Sequence, residues 1–406
     1  MSTSLAYHTQ DIRGFQHQSY QYPDKKVIER ITRNEFCCPE CYSSKVSTYP
    51  IRTRLIQALP YGKYQLYFEV DIHRIYCPKC GRMFVEELPF ISHPQARITT
   101  ALERTLVELR PDMSITALSR YYGVPWHTIK NCEKRHLKRK YKHIKLKDVK
   151  RIGIDEIAIG HDKDGKSAYW TIVRDLDTGA VLHVDRGKDG DSLKPFLKRL
   201  RRSKTKIELV AMDMGKAFIK WVSDNLPDAN IVFDHFHVIK LMNEKVDKVR
   251  IKVAAKLDED EKKILKKQRF TLLRNEEKLK PEAMERLTQI KATFQELADV
   301  HMMKEALRSV YRVAQNSSQA EIALTDWCNA AMLIDSDQLH KMVKTLKNHW
   351  QGVLGFWTFG GVTNAPMEGF NNKVRTLMRQ AYGYRDYEYM RLKIFDLPNV
   401  RFKEEI

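Results

Sequence analysis

The chain has 406 residues, 43% of them hydrophobic, which makes it too long for one ordinary domain and apolar enough for two to four domains with real cores. No apolar stretch reaches the length of a membrane span, and the polar stretch from Met1 to Asp24 lacks an apolar signal region, so we expect a soluble, non-exported protein without membrane partners. The net charge of +20 costs self-repulsion that a polyanion such as nucleic acid would relieve, although a ribosome-associated or merely basic protein would share this charge.

Two short cysteine pairs follow a polar, aromatic N-terminal segment, residues 1–35. The pairs are Cys38-Pro-Glu-Cys41 and Cys77-Pro-Lys-Cys80. Two thiolates three residues apart can face one ion, and two such turns complete the tetrahedral shell of a structural Zn2+. Because the residues between the pairs alternate as strands do, we predict a zinc ribbon over residues 36–88, which staples a small domain and could also read a DNA end. Cys37 could substitute for Cys38, whereas Cys132 and Cys328 are isolated and are interpreted as small apolar residues.

A helix-turn-helix pattern follows within residues 89–147. Ser114 suits an N-cap, apolar residues recur at helical spacing up to Tyr122, Gly123 can take a left-handed turn, and Pro125 suits the start of a second helix. In this motif the second helix enters the major groove of DNA while basic residues hold the phosphates. We predict DNA binding here; an ordinary helical hairpin with a solvated basic face is the alternative. The residues predicted to contact DNA are Trp126, His127, Lys130, Lys134, Arg135, Lys138 and Arg139.

Residues 148–240 alternate between strand and helix patterns. The predicted strands are Lys150–Ile159, Tyr169–Asp175, Val181–Asp185, Ile207–Asp213 and Asn230–Asp234, and the predicted helices are Asp191–Arg202 and Lys216–Leu226. Three meandering strands followed by alternating helix and strand is the order of an RNase H-like α/β fold, in which the first and fourth strands are neighbours. We therefore predict a multidomain α+β protein with an RNase H-like domain.

Two acids lie in the apolar strands of this region, where an unpaired carboxylate is costly. Asp155 lies in the first strand and Asp213 ends the fourth, so the predicted fold places them face to face at the sheet surface. Two such carboxylates make an oxygen-rich site suited to Mg2+. Glu156 points to the opposite face of a regular strand, so we leave it out of the predicted metal shell.

A third carboxylate would complete this site, and one stands near the C-terminus. Asn364 and Pro366 indicate a helix start, which puts Glu368 in the first turn. Asn371 and Arg375 follow three and seven residues later, on the same side of that helix. Glu368 could thus reach the metal while Arg375 approaches a phosphate.

Several short motifs together carry a family resemblance. They are Gly153-Ile-Asp155-Glu156, Ala211-Met-Asp213, the run from Phe233 to Lys240, the run from Asn364 to Arg375, and the run from Ala381 to Asp386. Through these motifs, the chain resembles the DDE transposases of bacterial insertion sequences, specifically the ISL3 family. The order of zinc ribbon, helix-turn-helix and catalytic region matches that family as well. The resemblance covers about Phe36 to Pro398.

The resemblance implies that Asp155, Asp213 and Glu368 are the catalytic acids, which hold two Mg2+ or Mn2+ ions. The residues expected to support these ligands without binding metal are Asp234, His237, Asn371 and Arg375. Asp234 and His237 match a D-x-x-H pattern that supports the site in related transposases. Simple packing is the alternative for His237. Two divalent ions can activate water or a 3′-hydroxyl and stabilise the leaving oxygen, so phosphodiester hydrolysis and strand transfer follow.

The implied partners are the terminal inverted repeats of the element and a target DNA, bound in the bacterial cytoplasm at the nucleoid. Because two ends must be cut, we expect a homodimer or a larger assembly. The resemblance also implies a helical insertion, residues 241–355, between the second and third acids, after which the core resumes over residues 356–406.

An apolar stripe at helical spacing marks this insertion. Its members are Leu287, Ile290, Phe294, Leu297, Val300 and Leu307. The insertion is either a solvated helical bundle packed on the core or a surface for end binding or dimer contact. For Trp327, Trp350 and Trp357 we favour core packing over stacking on an unpaired base.

Two other functions remain open at this point. A zinc-ribbon and helix-turn-helix regulator without catalysis would not explain three acids placed on two strands and a helix. A nuclease of the same fold without strand transfer would not need two upstream DNA-binding modules.

Overall fold

A computed structural model describes residues 5–161, 167–381 and 383–398. Some residues of the sequence predictions lie outside the described residues. They include residues 1–4 of the range 1–35, Tyr382 of the last family motif, and residues 382 and 399–406 of the range 356–406. The chain forms two compact units, one up to Lys142 and one from His143 onward. Within the described ranges, every helix is too short or too polar to cross a membrane.

The first unit consists of a short N-terminal helix, a five-stranded sheet and three further helices. Its elements are α1 (Leu5–Gln10), β1 (Phe15–Gln21), β2 (Lys26–Arg33), β3 (Ser47–Gln57), β4 (Gln65–Cys77), β5 (Arg82–Val85), α2 (Thr100–Leu109), α3 (Ile115–Tyr122) and α4 (Trp126–Lys140). The strand order is β1-β2-β4-β3, and β5 pairs with the end of β4. Along β4 the alternate residues Leu66, Phe68, Val70 and Ile72 are buried, so one face of this sheet carries the core.

Strands β1 and β2 come from the N-terminal segment, where the sequence has no strong period. The buried residues of β2 are Val27, Glu29 and Ile31, which alternate along the strand. Because Glu29 is acidic, the sequence of β2 does not show the alternation of apolar residues that is typical of a strand. Glu29 Oε1 lies 3.3 Å from His17 Nδ1 on β1, which gives the buried acid a partner. Because β2 pairs in parallel with β4, the N-terminal segment and the cysteine-bearing region share one sheet.

The helix-turn-helix has the local structure that the sequence predicts. Ser114 is the N-cap of α3, with its Oγ accepting a hydrogen bond from Ala117 N at 3.1 Å. Gly123 ends α3 with a φ of +68°, in the left-handed region, and α4 begins directly after Pro125. The two helices and α2 pack around a shared core of Leu102, Leu106, Leu118, Val124 and Ile129.

The second unit is built on another five-stranded sheet. Its first elements are β6 (Arg151–His161), β7 (Ser167–Asp175), β8 (Val181–Arg186), α5 (Lys194–Ser203), β9 (Leu209–Met212), α6 (Lys216–Asn225) and β10 (Asn230–Phe233). The strand order is β10-β9-β6-β7-β8. Strands β6, β7 and β8 form an antiparallel meander, while β9 pairs in parallel with both β6 and β10. The predicted pairing of the first and fourth strands, β6 and β9, is thus confirmed.

A long run of helices follows β10. These are α7 (His235–Ala254), α8 (Glu259–Leu265), α9 (Arg269–Leu273), α10 (Pro281–Thr293), α11 (Gln295–Val313), α12 (Ser317–Leu333), α13 (Asp337–Asn348), α14 (Trp350–Thr358), α15 (Ala365–Gln380) and α16 (Tyr387–Asp396). All six members of the predicted apolar stripe are buried. The chain returns to the sheet at α14, which packs on β10, and at α15, which packs on β6.

The tryptophans of the helical run take part in its packing, as the sequence analysis favours. Trp327 is buried and its Nε1 donates to the carbonyl of Met303 at 2.8 Å. Trp357 stacks on Tyr311 with ring centroids 4.6 Å apart. Trp350 is half-buried against the same core.

Candidate functional site

Two acids meet where β6 and β9 lie side by side. The pairing of the two strands runs up to Gly153 and Ala211, so Asp155 continues β6 while Asp213 follows the last residue of β9. Each side chain is oriented by a backbone N–H: Asp155 Oδ1 accepts from Glu156 N at 2.8 Å, and Asp213 Oδ1 accepts from Gly215 N at 2.9 Å. The strand register therefore brings two carboxylates, distant in sequence, to one place on the sheet.

The environment of Asp155 penalises its charge. Burial, together with the charges of Asp213 and Glu156, raises the pKa of Asp155 to about 7, against hydrogen bonds from Glu156 N and Asn371 that lower it. A carboxylate with its pKa near neutrality, next to a second acid, is an arrangement that a bound cation would stabilise in its ionised form.

Glu156 is electrostatically part of the same acid group. Burial and the charge of Asp213 raise its pKa, whereas Lys188 and Lys240 lower it. Strand alternation places this side chain on the other face of β6, yet Asp213 acts on both acids. Asp213 lies beyond the end of β9, where β6 is no longer paired with that strand.

Helix α15 is attached to the sheet directly at Asp155. Asn371 Nδ2 donates to Asp155 Oδ2 at 2.7 Å across 216 positions of sequence. Arg174 Nη1 donates to the Pro366 carbonyl at 2.6 Å, and its guanidinium lies 4.3 Å from the ring centroid of Phe370. These contacts hold the first turns of the helix, which carry the third predicted acid, against β6.

Glu368 lies one turn before Asn371 and its side chain is exposed. The three predicted acids do not close into one tight cluster: the only described group of three or more His, Cys, Asp or Glu residues whose ligand atoms lie within 4.8 Å of one another is a set of four cysteines. Like charges repel, so carboxylates gather closely only where a cation holds them. The structure thus places the helix of Glu368 beside the two aspartates without closing all three carboxylates into one cluster.

The close approach of α15 depends on Gly153. A Cβ atom at this position would lie 2.9 Å from Met367 Cγ and 3.1 Å from Asn364 Oδ1. We expect Gly153→Ala to push α15 away from β6 and to lower DNA cleavage by roughly 10-fold or more, since an ångström-scale displacement costs about 100-fold in well-organised sites. Gly369→Ala on the same helix is the matched control, because nothing lies within 4 Å of its added Cβ. Equal cleavage rates for the two variants would contradict this role of Gly153.

Three predicted supporting residues differ in their placement. Asp234 is the N-cap of α7: its Oδ1 accepts from Phe236 N at 2.9 Å and lies 3.2 Å from His235 Nδ1. Burial acts to raise the pKa of Asp234, but the contacts with His235 and Phe236 outweigh it and lower the pKa. His237 lines a cavity together with Asp213. Arg375 is exposed and donates to Asn372 Oδ1 at 2.8 Å.

The four predicted zinc ligands converge. The Sγ atoms of Cys38, Cys41, Cys77 and Cys80 all lie within 4.8 Å of one another. Cys38 Sγ lies 3.8 Å from Cys80 Sγ, and Cys41 Sγ lies 3.6 Å from Cys77 Sγ. A tetrahedral Zn2+ with bonds of about 2.3 Å has sulfur–sulfur edges of about 3.8 Å, so the donor set fits this ion.

The local backbone also favours the thiolate form of Cys38 within this cluster. Burial would raise the pKa of Cys38, but hydrogen bonds from the backbone N–H groups of Cys41 and Glu40 hold it at about 7, below its ordinary value. Cys37 is exposed and outside the cluster, while Cys132 and Cys328 are buried in the helical cores, as predicted for small apolar residues.

All seven predicted DNA contacts lie on α4. Trp126, His127, Lys138 and Arg139 are exposed, at its two ends. Lys130 and Lys134 are half-buried between them. Arg135 differs from the rest, because its Nη2 lies 2.9 Å from Glu103 Oε2 of α2, so its guanidinium already has a buried acidic partner within the protein. The sequence offers no local signal for this ion pair, since its partner is 32 positions away.

Comparisons with known proteins find relatives among transposases. A family model for ISL3 elements, described as Transposase, matches residues 152–394, and the model Helix-turn-helix domain of transposase family ISL3 matches residues 86–137. The transposase for insertion sequence element IS1001 of Bordetella parapertussis is 28% identical over 369 residues, covering 89% of each chain. The transposase for insertion sequence element IS1557 of Mycobacterium tuberculosis is 26% identical over 375 residues, covering 86% of this chain and 82% of that relative.

Among solved structures, the chain is similar to the Drosophila P element transposase strand transfer complex. The match covers 74% of this chain and 92% of the other, with 13% sequence identity and a TM-score of 0.39. Both values are too low for this likeness to establish a shared fold.

Proposed function

Because this chain belongs to the ISL3 family of transposases, we propose that it mobilises an insertion sequence by divalent-metal chemistry at Asp155, Asp213 and Glu368. Its family makes it a DNA-cleaving transposition enzyme. The observation that carries the assignment of these residues is the 2.7 Å hydrogen bond from Asn371 to Asp155, which docks the helix of Glu368 beside the two strand acids.

The proposed catalytic domain is RNase H-like. In its support, the five strands of the second unit have the order 5-4-1-2-3 when numbered along the chain, with an antiparallel meander followed by two parallel strands. We propose that residues 148–240 and 356–406 form this domain and that residues 241–355 are a helical insertion. Helices α7 to α14, between β10 and α15, support the insertion.

The residues present fit a divalent-ion site. The Oδ1 atom of Asn371 is buried and has no hydrogen-bond partner among the described residues, so a hard oxygen donor is left beside Asp155. In the proposal Asp155, Asp213 and Glu368 hold the Mg2+ or Mn2+ ions, and Glu368 joins by rotation of its exposed side chain. When bound, these ions would lower the pKa of a water or hydroxyl and neutralise charge on the leaving oxygen.

The protein's own groups then position the reaction. Asn371 and the backbone N–H of Glu156 orient the two oxygens of Asp155, and Gly215 N orients Asp213. In the first step, water attacks the phosphodiester at an element end and the 3′-oxygen leaves as a 3′-hydroxyl. In the second, this hydroxyl attacks a phosphodiester of the target and displaces its 3′-oxygen, so the number of phosphodiester bonds is conserved and no energy source is needed.

The first unit supplies DNA binding. Its helix-turn-helix belongs to the family's DNA-binding module, and we propose that α4 reads the terminal inverted repeats while the zinc-stapled sheet supports it. Cutting two ends and joining them to one target requires two active sites, so we propose a homodimer or a larger assembly on DNA.

The proposal predicts metal-dependent cutting and joining of element ends. The full chain is incubated with a labelled duplex carrying one inverted repeat and its flank, together with a supercoiled target, in Mg2+ or in EDTA. We expect cleavage at the repeat boundary and joined products in Mg2+ and neither in EDTA. Binding without any reaction would favour a regulator, and cutting without joined products would favour a nuclease.

A further inference from the structure

A cavity of about 570 Å³ opens beside Asp213, within the unit that begins at His143. It lies among the loop after β9 and helices α6, α7 and α13. The basic residues that line it are Lys216, Lys240, Lys245, Lys341, Lys344, His237 and His349, and the acids are Asp213 and Glu244. Its lining thus carries an excess of three positive charges, with the histidines counted as neutral. We call it the lysine pocket.

The lysines of this pocket are mounted on firmly packed helices. Lys341 and Lys344 lie one turn apart on α13, whose other side is buried through Met342 and Val343. Lys240 and Lys245 lie on α7, which packs against α13. The helices that carry these lysines are therefore held in place by the core, while Lys216, Lys240, Lys341 and Lys344 are themselves exposed at the cavity.

Among the described residues, these lysines form no close ion pair. In the part of the chain that the structure describes, none of the five has a carboxylate oxygen within 4.0 Å of its Nζ. Elsewhere in the helical region lysines are paired: Lys252 of α7 lies 3.0 Å from Glu296, and Lys291 of α10 lies 3.0 Å from Glu276. Burial, followed by repulsion from Lys248 and Lys341, lowers the pKa of Lys245. An anion in the pocket would offset this repulsion.

The donor chemistry indicates phosphate. Each ammonium group is a compact charge with three N–H donors, which suits phosphate oxygens without the planar match that arginine makes to a carboxylate. The lining contains no Phe, Tyr or Trp, and lysines outnumber its two histidine rings, so phosphate contacts prevail over base stacking. A ligand held here would thus be recognised by its phosphates, independently of base sequence.

We propose that the lysine pocket holds the phosphodiester backbone of the DNA strand next to the bond that is cut. Asp213 belongs to both the pocket wall and the acid group, so a strand lying in the pocket continues directly into the active site. The inference rests on the proposed function, because it needs DNA to be cut at these acids.

The test compares two variants of the full chain that lose the same charge. Lys341→Gln with Lys344→Gln removes two lysines of the pocket, and Lys256→Gln with Lys347→Gln removes two exposed lysines of the same helical region outside it. Binding to a duplex with one inverted repeat and its flank is measured in EDTA over a range of salt. Single methylphosphonates, which are uncharged, replace individual phosphates around the cut. Thermal unfolding confirms that both variants fold.

We expect the pocket variant to bind about 10-fold more weakly at physiological salt, with a salt slope reduced by about 1 to 2, since each lost phosphate contact changes the slope by about 0.7–0.9. Methylphosphonates beside the cut should weaken DNA binding by the wild-type and control proteins. They should not weaken DNA binding by the pocket variant any further. The proposal for the lysine pocket would be overturned if the two variants bound DNA with equal affinity or responded equally to methylphosphonates. In that case, cleavage by the wild-type protein would still uphold the proposed function. Wild-type protein that neither binds nor cuts the end would overturn both.

Discussion

Asp155→Asn, Asp213→Asn and Glu368→Gln are each expected to lower DNA cleavage by about 1,000-fold or more, which corresponds to about 4 kcal/mol of transition-state stabilisation. The physical reason is that each substitution replaces an anionic oxygen ligand with a neutral amide of nearly the same shape. A neutral amide binds a divalent ion more weakly and compensates less of its charge. Cleavage of a labelled element end in Mg2+ measures the effect.

End binding should stay close to wild type in all three variants, because the helix-turn-helix belongs to the other compact unit. Matched controls are Asp224→Asn, an exposed acid on α6, and Glu282→Gln, an exposed acid that follows a proline in the first turn of α10 as Glu368 follows Pro366 in α15. Both should cut normally. Near-normal cleavage by any one variant of the triad would remove that residue from the metal site.

The Glu368 variant is the most discriminating of the three. In the structure its carboxylate is exposed and does not cluster with the two aspartates, whereas Glu156 interacts electrostatically with Asp213. If Glu368→Gln cuts normally while Glu156→Gln does not, the third ligand comes from the strand and not from α15. We expect the opposite order, because Glu368 is on the helix that Asn371 fastens to Asp155.

Loss of zinc should disable the first unit. Cys41→Ser removes one of four thiolates, and we expect about one equivalent of zinc to be lost per chain, with a lower Tm and end binding weakened by about 10-fold or more. Structural Zn2+ contributes about 10–16 kcal/mol in small zinc modules, so its loss is comparable to the whole stability of a typical domain, about 5–15 kcal/mol. Zinc content, thermal unfolding and end-binding affinity are the measurements.

Cys37→Ser is the matched control for this prediction. Cys37 is the neighbour of a ligand but is exposed and outside the cluster, so its variant should keep its zinc and its affinity for DNA. Zinc content unchanged by Cys41→Ser would reject the ribbon. Zinc lost from the Cys37 variant would show that this residue, and not Cys38, is the ligand.

Short-range features of this protein follow from the sequence alone. The two CxxC turns, the Ser114 cap, the left-handed Gly123 and the five strands of the second sheet are each encoded within a few neighbouring residues. Their physical basis is local: backbone geometry at a turn, a side chain that caps its own helix, and the alternation of buried residues along a strand. These elements have the predicted types and nearly the predicted bounds.

Only the tertiary structure decided which distant residues meet. It joined Asn371 to Asp155, placed Met367 against Gly153, engaged Arg135 with Glu103, and brought the lysines of α7 and α13 to one cavity beside Asp213. It also paired β2 with β4, although the buried Glu29 interrupts the apolar pattern of β2. Such contacts depend on the packing of whole helices and sheets, in which each position is set by many side chains at once. No local pattern of residue types encodes the combined effect of these packing interactions. The sequence could therefore indicate the candidate acids, but not the contact between Asn371 and Asp155 that fastens the helix of Glu368 to the sheet.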